Sequence, residues 1–292
     1  MNSLAILLVL CSTFMHAGWN ILARYHKSEI DIYRKMLMVV ILIGLIPFTL
    51  SEMKVHSLTE TAWLCVIGSG VCAGFYLFFL GRAFASSDFT IVYPIARALP
   101  VIFIAFLDIL RGRYLTTWGW MGITLVTLGC TIVPLRSLKE IRIQHYIHPT
   151  SLWMLLAAMG TVGYTLLDKI AAEVIYQGAG SAARYGYAYF SISYLPLALL
   201  SHRFHTSNRS STPKDWLLAI PAAGLSFTAY WLILWAYQLS PYASYIVAFR
   251  QFSIVIGDVL AFLLYKERGI FIRLTGAFFI TAGLILIAVL GK

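Results

Sequence analysis

Long apolar runs fill almost the whole chain and are separated only by short polar breaks. The 292 residues are 60% hydrophobic and 12% charged, whereas a soluble domain has about 25% charged residues. A soluble monomer of this composition would expose more hydrocarbon than its surface tolerates. Each run has about the 20 residues that a helix needs to cross a bilayer, and the strands of a membrane barrel would alternate polar and apolar residues instead. We therefore expect an all-α integral membrane protein.

The polar breaks divide the chain into ten predicted membrane-spanning helices. These spans are 3–23, 35–51, 60–84, 89–107, 116–134, 150–172, 183–200, 215–238, 242–264 and 270–290. The first run has no basic residue before it and is too long for a signal peptide, so we expect it to stay in place as a helix. The long break after span five bisects the chain, and its leucines and basic residues fit either an interfacial segment or a solvated linker.

The two halves of the chain resemble each other. LVTLGCTIV at 125–133 aligns with FITAGLILI at 279–287, and GWNILAR at 18–24 aligns with GYTLLDK at 163–169. The residue pairs brought together are Gly122 with Gly276, Gly129 with Gly283, and Arg97 with Arg250. The common order and nearly constant offset of these matches indicate a two-fold repeat.

Five spans per repeat is an odd number, so the second repeat must enter the membrane in the opposite orientation. This arrangement is the inverted repeat of secondary transporters, in which the substrate site lies where the halves meet. We expect a first five-helix repeat at 1–135, a basic linker at 136–149 and a second five-helix repeat at 150–292.

Each half carries an arginine inside a predicted span, Arg97 in span four and Arg250 in span nine. A charge at the bilayer centre costs about 2.5–3.5 kcal/mol on insertion scales, so such a side chain faces a cavity or a partner. Because guanidinium groups bind carboxylates and phosphates with two hydrogen bonds, both arginines are candidate anion ligands. The alternatives are structural: Arg97 covers a carbonyl that Pro94 leaves unpaired, and Arg250 pairs with Asp258 two turns later.

The first span carries a polar stripe that is also a candidate part of the site. His16 and Asn20 lie one turn apart on one helix face, beside Trp19. Such a stripe points into a helix bundle, where it lines a cavity or only joins helices, and a histidine there is a candidate for proton coupling. Five aromatic residues in other spans are expected to extend the pocket: Tyr76, Tyr93, Tyr230, Trp231 and Tyr245.

A few ionisable residues inside the spans are candidates for ion coupling or ion pairing. They are Asp258, His16 and Lys169. Among the acidic residues, Asp258 is expected to lie deepest, and Asp168 adjoins Lys169 in the sequence. The first span contains no acidic residue.

Several stretches together carry a family resemblance. They are VYPIARALPVIF at 92–103, MHAGWN at 15–20, the glycines of span five, and a second-half counterpart ending at KER, 266–268. With these stretches the chain resembles the ten-helix EamA-type members of the drug/metabolite transporter superfamily, which move amino acids, sugars, nucleotide-sugars and other small metabolites. The halves differ, because VAFRQF lacks the prolines of its counterpart and Tyr164 and Thr165 replace Trp19 and Asn20. They are therefore expected to contribute unequally to the site.

The resemblance and the arginines together predict a function. We expect secondary, ATP-independent transport of small carboxylate- or phosphate-bearing metabolites, such as amino acids or related compounds, across a bacterial cytoplasmic membrane. One alternative is efflux of cationic drugs, which is disfavoured because small multidrug relatives hold cations with a glutamate in the first helix. The other alternative is a non-transporting membrane scaffold.

The expected partners are the metabolite and the lipid bilayer. Catalytic residues, a metal site and a cofactor are not expected, since the sequence contains neither HExxH nor CxxC. The formal net charge is +10, but most of the basic residues lie in loops that meet anionic headgroups, so nucleic-acid binding is not expected. A monomer is compatible with the sequence.

The distribution of basic residues predicts the orientation of the chain in the membrane. The loops that follow odd-numbered spans hold most of the lysine and arginine outside the spans. Because cytoplasmic loops carry the excess of these residues, we expect these loops to be cytoplasmic and both termini to face outside.

Overall fold

The computed structural model describes residues 2–24, 29–86, 89–135, 151–204, 212–265 and 270–291, and these segments are almost entirely helical. The helices are α1 (Ser3–Arg24), α2 (Glu29–Val55), α3 (Glu60–Ser86), α4 (Phe89–Leu110), α5 (Thr117–Ile132), α6 (Ser151–Val174), α7 (Ala179–Arg203), α8 (Pro213–Leu239), α9 (Ala243–Arg250), α10 (Phe252–Tyr265) and α11 (Ile270–Leu290). The predicted ten spans are confirmed, because α9 and α10 meet at Gln251 and together form the ninth span.

Six of the helices in these segments are long and apolar enough to cross a membrane by length and composition alone: α1, α2, α3, α6, α8 and α11. Large apolar side chains such as Leu42, Ile46 and Phe271 point outward and are exposed. An apolar outer surface of this kind fits contact with lipid. The chain is therefore an integral membrane protein, as predicted.

The second helix is longer than its apolar run predicts. The predicted span was 35–51, whereas α2 extends from Glu29 to Val55. Glu29 and Asp31 lie in the first turn and Lys54 in the last turn, where their charges are attracted to the opposite ends of the helix dipole. Polar residues therefore extend this helix beyond its apolar run.

The helix contacts repeat between the two halves. In the repeat, α1 corresponds to α6 and α3 to α8. The structure packs α1 along α8, and it packs α6 along α3, so each of these contacts is the symmetry equivalent of the other. The equivalent helices α5 and α11 pack against each other, as do α2 and α7. This exchange of partners is the pattern of a two-fold pseudosymmetric bundle.

The glycines of α5 and α11 show the relative direction of the halves. A Cβ atom on Gly122 would lie 2.7 Å from the carbonyl oxygen of Gly283, and one on Gly129 would lie 2.6 Å from that of Gly276. The earlier glycine of α5 meets the later glycine of α11, so these equivalent helices run antiparallel. The predicted close packing of the glycines and the inverted repeat are therefore confirmed. The domain boundaries stay a prediction, since the linker at 136–149 lies outside the described residues.

Buried charged residues fix both sides of the junction between α8 and α9. Asp108, at the end of α4, accepts hydrogen bonds from the backbone N–H of Ala243 at 3.3 Å and of Ser244 at 2.8 Å. Lys169 donates from Nζ to the carbonyl oxygens of Tyr237 at 2.9 Å and Ser240 at 2.7 Å. The first N–H groups and last carbonyl groups of a helix have no partner within that helix. Asp108 binds such N–H groups at the start of α9, and Lys169 binds such carbonyl groups at the end of α8. The two residues set the position of α9, which carries Arg250.

Candidate functional site

A cavity of about 840 Å³, its open mouth included, lies between helices of both halves. Helices α1, α2 and α3 of the first half and α6, α7, α8 and α9 of the second half line it. Most of the wall is apolar or aromatic, with a few hydroxyl groups such as those of Ser12, Ser193 and Ser226. An apolar cavity with a few polar groups is the usual form of a small-molecule site.

The guanidinium group of Arg250 lies in the wall of this cavity. It stands over the ring of Tyr230, with its central carbon 5.7 Å from the ring centroid, a distance typical of a cation–π contact. Its Nη1 atom is buried and has no hydrogen-bond partner among the described residues. A buried, unsatisfied N–H group costs free energy that an acceptor on a ligand would recover.

A break in span nine places Arg250 at a helix end. The helix α9 stops at Arg250, and the backbone turns at Gln251, whose N–H bonds the carbonyl oxygen of Ala248 at 3.0 Å. The hydroxyl of Ser253 donates to the carbonyl oxygen of Arg250 at 2.9 Å, which satisfies a group that the break leaves free. Broken helices of this kind commonly form the substrate sites of secondary transporters.

His16 lies between two side chains that can only donate hydrogen bonds. Its Nδ1 atom is 3.0 Å from Nε1 of Trp19, and its Nε2 atom is 2.8 Å from Nη2 of Arg97. A neutral imidazole accepts at one nitrogen and donates at the other. A neutral His16 can therefore accept a hydrogen bond from Trp19 or from Arg97, but not from both. At the remaining contact, an N–H group of His16 faces an N–H group of its neighbour. An acceptor atom placed at that contact would resolve the conflict.

The cavity brings together five of the residues predicted for the site: His16, Trp19, Tyr76, Tyr230 and Arg250. Arg97 does not line the cavity wall but reaches it through its contact with His16. The side-chain amide of Asn20 does not line the cavity and donates to the backbone carbonyl of His16 at 2.7 Å, within α1.

Two of the predicted aromatic residues lie away from the cavity. Trp231 donates from Nε1 to the carbonyl oxygen of Ala179 at 2.7 Å. Tyr245 is fully buried beside Tyr242, with ring centroids 4.7 Å apart. The side chain of Tyr93 lies outside the described residues.

The two other candidates for ion coupling are found in ion pairs. Asp258 pairs with Arg273 at 3.2 Å, and no ion pair joins it to Arg250 within the described segments. Lys169 pairs with Glu173 at 3.1 Å, in addition to its contacts at the end of α8. The internal pair of Arg250 with Asp258, considered above as a structural alternative, is therefore not formed.

A buried carboxylate beneath the cavity was not among the predicted site residues. Asp168 is 1% exposed, whereas the side chain of Asp258, expected to be the deepest acid, is 14% exposed. Asp168 accepts a hydrogen bond from Tyr185 at 2.8 Å and further hydrogen bonds from Ser69 and Tyr230. An acid within an apolar span is by itself a signal for a functional site. In the sequence Asp168 adjoins Lys169, which suggests an ion pair between them. Adjacent residues of a helix point in different directions, however, so the two side chains do not face each other.

These features define a helical membrane protein with a mostly apolar cavity between two inverted halves. The sequence model of the EamA-like transporter family matches residues 3–134, from α1 to the end of α5. A solved crystal structure that is 14% identical in sequence has the same fold, with a TM-score of 0.72 over 100% of this chain and 99% of that chain. No curated protein matches the chain. The match covers a little under half of the chain, and the predicted resemblance to the drug/metabolite transporter superfamily is confirmed.

Proposed function

We propose that the protein is a secondary transporter that carries small anionic metabolites across the cytoplasmic membrane of a bacterium by alternating access. The EamA-like family is a family of transporters, and an inverted repeat around a central site is the architecture that alternating access uses. The anionic group, a carboxylate or a phosphate, would bind where Arg250, His16 and Arg97 approach each other.

The observation that carries this proposal is the set of N–H donors at one side of the cavity. Nη1 of Arg250 is buried without a partner in the described part of the chain, and His16 opposes a donor at one of its two nitrogens. An anion that accepts from Arg250 and His16 would satisfy both groups. Hydrogen bonds between ionised partners are about twice as strong as neutral ones, so these contacts would supply much of the affinity.

The charges near the cavity support an anion as well. Arg97 and Arg250 stay protonated in proteins, and Asp168 is a carboxyl group that interacts electrostatically with Arg250. The charge of Arg250 in the cavity wall can therefore attract an anion directly. Because a charge is costly inside a membrane, an anion bound at Arg250 would lower the cost of burying that arginine.

The rest of the wall indicates the shape of the substrate. Trp19, Tyr76, Tyr189 and Phe190 form aromatic surfaces, and Leu37 adds an aliphatic one. An apolar or aromatic body would pack against these surfaces while its acidic group faces the arginines. Benzoate and phenyl phosphate are simple probes with both features.

The proposal is tested by thermal unfolding of the purified protein with four ligands that share a benzene ring. Benzoate and phenyl phosphate should raise the melting temperature, because ligands that bind only the folded state stabilise it. Benzyl alcohol and benzylamine, which are neutral and cationic, should have little effect. Stabilisation by benzylamine but by neither anion would contradict the proposal and favour cation efflux.

A further inference from the structure

Asp168 has a setting that anion binding by itself does not explain. Its carboxylate lies in the membrane-embedded part of α6 and accepts hydrogen bonds from hydroxyl groups of three other helices, Ser69 of α3, Tyr185 of α7 and Tyr230 of α8. No cation lies within ion-pair distance of it among the described residues. A buried carboxylate held only by hydroxyl groups is stabilised when ionised, and it can also take up a proton without breaking an ion pair.

We infer that Asp168 is a proton-binding site coupled to the cavity, so that a proton and the anion bind together. The inference rests on the proposed function, because it assigns the coupling ion of that same transport site. His16 was the other candidate for this role, and the experiment below separates the two residues.

The position of Ser69 allows the site to hold Asp168 in both protonation states. Its hydroxyl bonds Oδ1 of Asp168 and also lies 3.5 Å from the carbonyl oxygen of Tyr164. When Asp168 is ionised, Ser69 donates to Oδ1. When a proton binds Oδ1, the acid donates it to the Ser69 oxygen, and the Ser69 hydroxyl turns towards the Tyr164 carbonyl. Every polar atom keeps a partner in either state, as buried polar groups require.

The groups that face Asp168 are otherwise thiols, phenols and one guanidinium. They are Cys65 and Cys72 of α3, Tyr185 and Tyr189 of α7, Tyr230 and Tyr237 of α8, and Arg250 of α9. The phenol of Tyr164 in α6 lies beside Tyr189 and Tyr230. Asp108 of α4 and Lys169 of α6 bind the ends of α9 and α8 instead. Thiols and phenols are neutral and arginine is charged at neutral pH. Asp168 is therefore the carboxyl group in this set.

Tyr230 connects the proton site to the cavity. Its hydroxyl donates to Asp168, its ring lines the cavity, and Arg250 stands over that ring at 5.7 Å. The ring also stacks on Tyr189 at 4.5 Å, which fixes its orientation. An anion at Arg250 is repelled by an ionised Asp168 and not by a protonated one. Anion binding should therefore favour proton uptake, and by linkage a lower pH should favour anion binding.

Infrared spectroscopy of the purified full chain tests proton binding directly. Between mildly alkaline and mildly acidic pH, a protonated carboxyl C=O band should appear in the wild type. The band should be absent in Asp168→Asn and shifted in Tyr230→Phe, which removes one hydrogen bond to the carboxyl group. Asp258→Asn, which removes an acid of a separate ion pair, should keep the band. A wild-type band that persists unchanged in Asp168→Asn would overturn the inference, as would the absence of any such band in the wild type.

Benzoate binding over the same pH range tests the coupling. Wild-type affinity should rise about tenfold towards acidic pH, within the usual range of coupling between sites. Asp168→Asn should bind benzoate as the acidic wild type does at every pH, because asparagine is uncharged, and His16→Gln should keep the pH dependence. Benzenesulfonate stays ionised over the whole pH range and should show the same pH dependence of binding as benzoate, so that protonation of the ligand does not explain the effect.

Two outcomes would separate failure of the coupling from failure of the proposed function. If benzoate binds and its pH dependence remains in Asp168→Asn, or is lost in His16→Gln, the coupling through Asp168 is wrong while anion binding stands. If neither anion binds at any pH, the proposed function is wrong and the coupling with it. The infrared band still decides whether Asp168 holds a proton.

Discussion

At the scale of single residues, Arg250 and Arg97 differ in how directly they face the cavity. Arg250 lines the wall and has a buried N–H group without a partner in the described segments, whereas Arg97 acts through His16. The repeat aligns the two arginines, but the differences between the halves predicted that they would contribute unequally to the site. Their neighbours do differ, since Arg250 stands over Tyr230 and Arg97 contacts His16.

We predict that Arg250→Ala lowers benzoate affinity about ten- to a hundred-fold, because a hydrogen bond to a charged group contributes about 1.5–3 kcal/mol. Arg250→Lys should restore this only in part, since lysine lacks the planar fork. Arg184→Ala is the matched control, because Arg184 pairs with Glu52 at 3.0 Å and does not line the cavity. Titration of the purified variants measures all three effects, and wild-type affinity in Arg250→Ala would contradict the role of Arg250.

The residues of the site were only partly predictable. His16, Trp19, Tyr76, Tyr230 and Arg250 were selected as polar or aromatic residues in apolar spans, and they meet in the cavity. In a span that is apolar on all sides, however, the sequence does not distinguish the face towards the cavity from the face towards another helix. For this reason Trp231 and Tyr245 were selected although they pack elsewhere.

At the scale of helices, the contact of α5 with α11 depends on glycine. The backbones approach so closely at Gly129 that a Cβ atom would lie 2.6 Å from the Gly276 carbonyl oxygen. Small residues allow this approach in membranes, where packing holds helices together without a hydrophobic driving force. The contact joins the two halves at equivalent helices.

We predict that Gly129→Ala lowers the thermal stability of the purified protein, because backbone atoms at this contact cannot move aside without separating the helices. Gly257→Ala in α10 is the matched control, since a Cβ atom there meets no atom of the described residues within 4 Å. Alanine is favoured over glycine inside a helix by roughly 0.5–1 kcal/mol, so the control should match or exceed the wild type. Equal melting temperatures for Gly129→Ala and the wild type would show that the close contact is not formed.

The positions of the spans could be predicted from the sequence because they depend on the length of each apolar run. The repeat could be predicted because glycine and arginine residues recur in the same order in both halves. The break at Gln251 could not be predicted, since neither proline nor glycine lies next to it in span nine. Tertiary contacts decide that break, including the binding of the start of α9 by Asp108. Asp168 was missed for a similar reason, because its hydroxyl partners lie on three other helices.

At the scale of the whole molecule, the excess of basic residues in the odd-numbered loops predicts that both termini lie outside the cytoplasm. A fluorescent protein that folds only in the cytoplasm, fused to the C-terminus, should therefore remain dark. The same protein inserted in the loop between α7 and α8, an odd-numbered loop, should fluoresce and serves as the control. Strong fluorescence from the C-terminal fusion would contradict this orientation.

The inverted halves and the cavity between them form one mechanism only if the bound anion is carried across the membrane. Helices of both halves line the cavity, so a movement of one half against the other would change the side from which the cavity opens. Binding alone does not distinguish such a carrier from a membrane scaffold with a ligand site.

Counterflow in proteoliposomes tests this central claim most directly. Vesicles loaded with unlabelled benzoate or phenyl phosphate are diluted into the same radiolabelled compound, and the label inside is followed over time. The wild type should accumulate label transiently above protein-free vesicles, which report passive leak, and Arg250→Ala should not. Labelled anion that enters wild-type, Arg250→Ala and protein-free vesicles equally would contradict transport through this cavity.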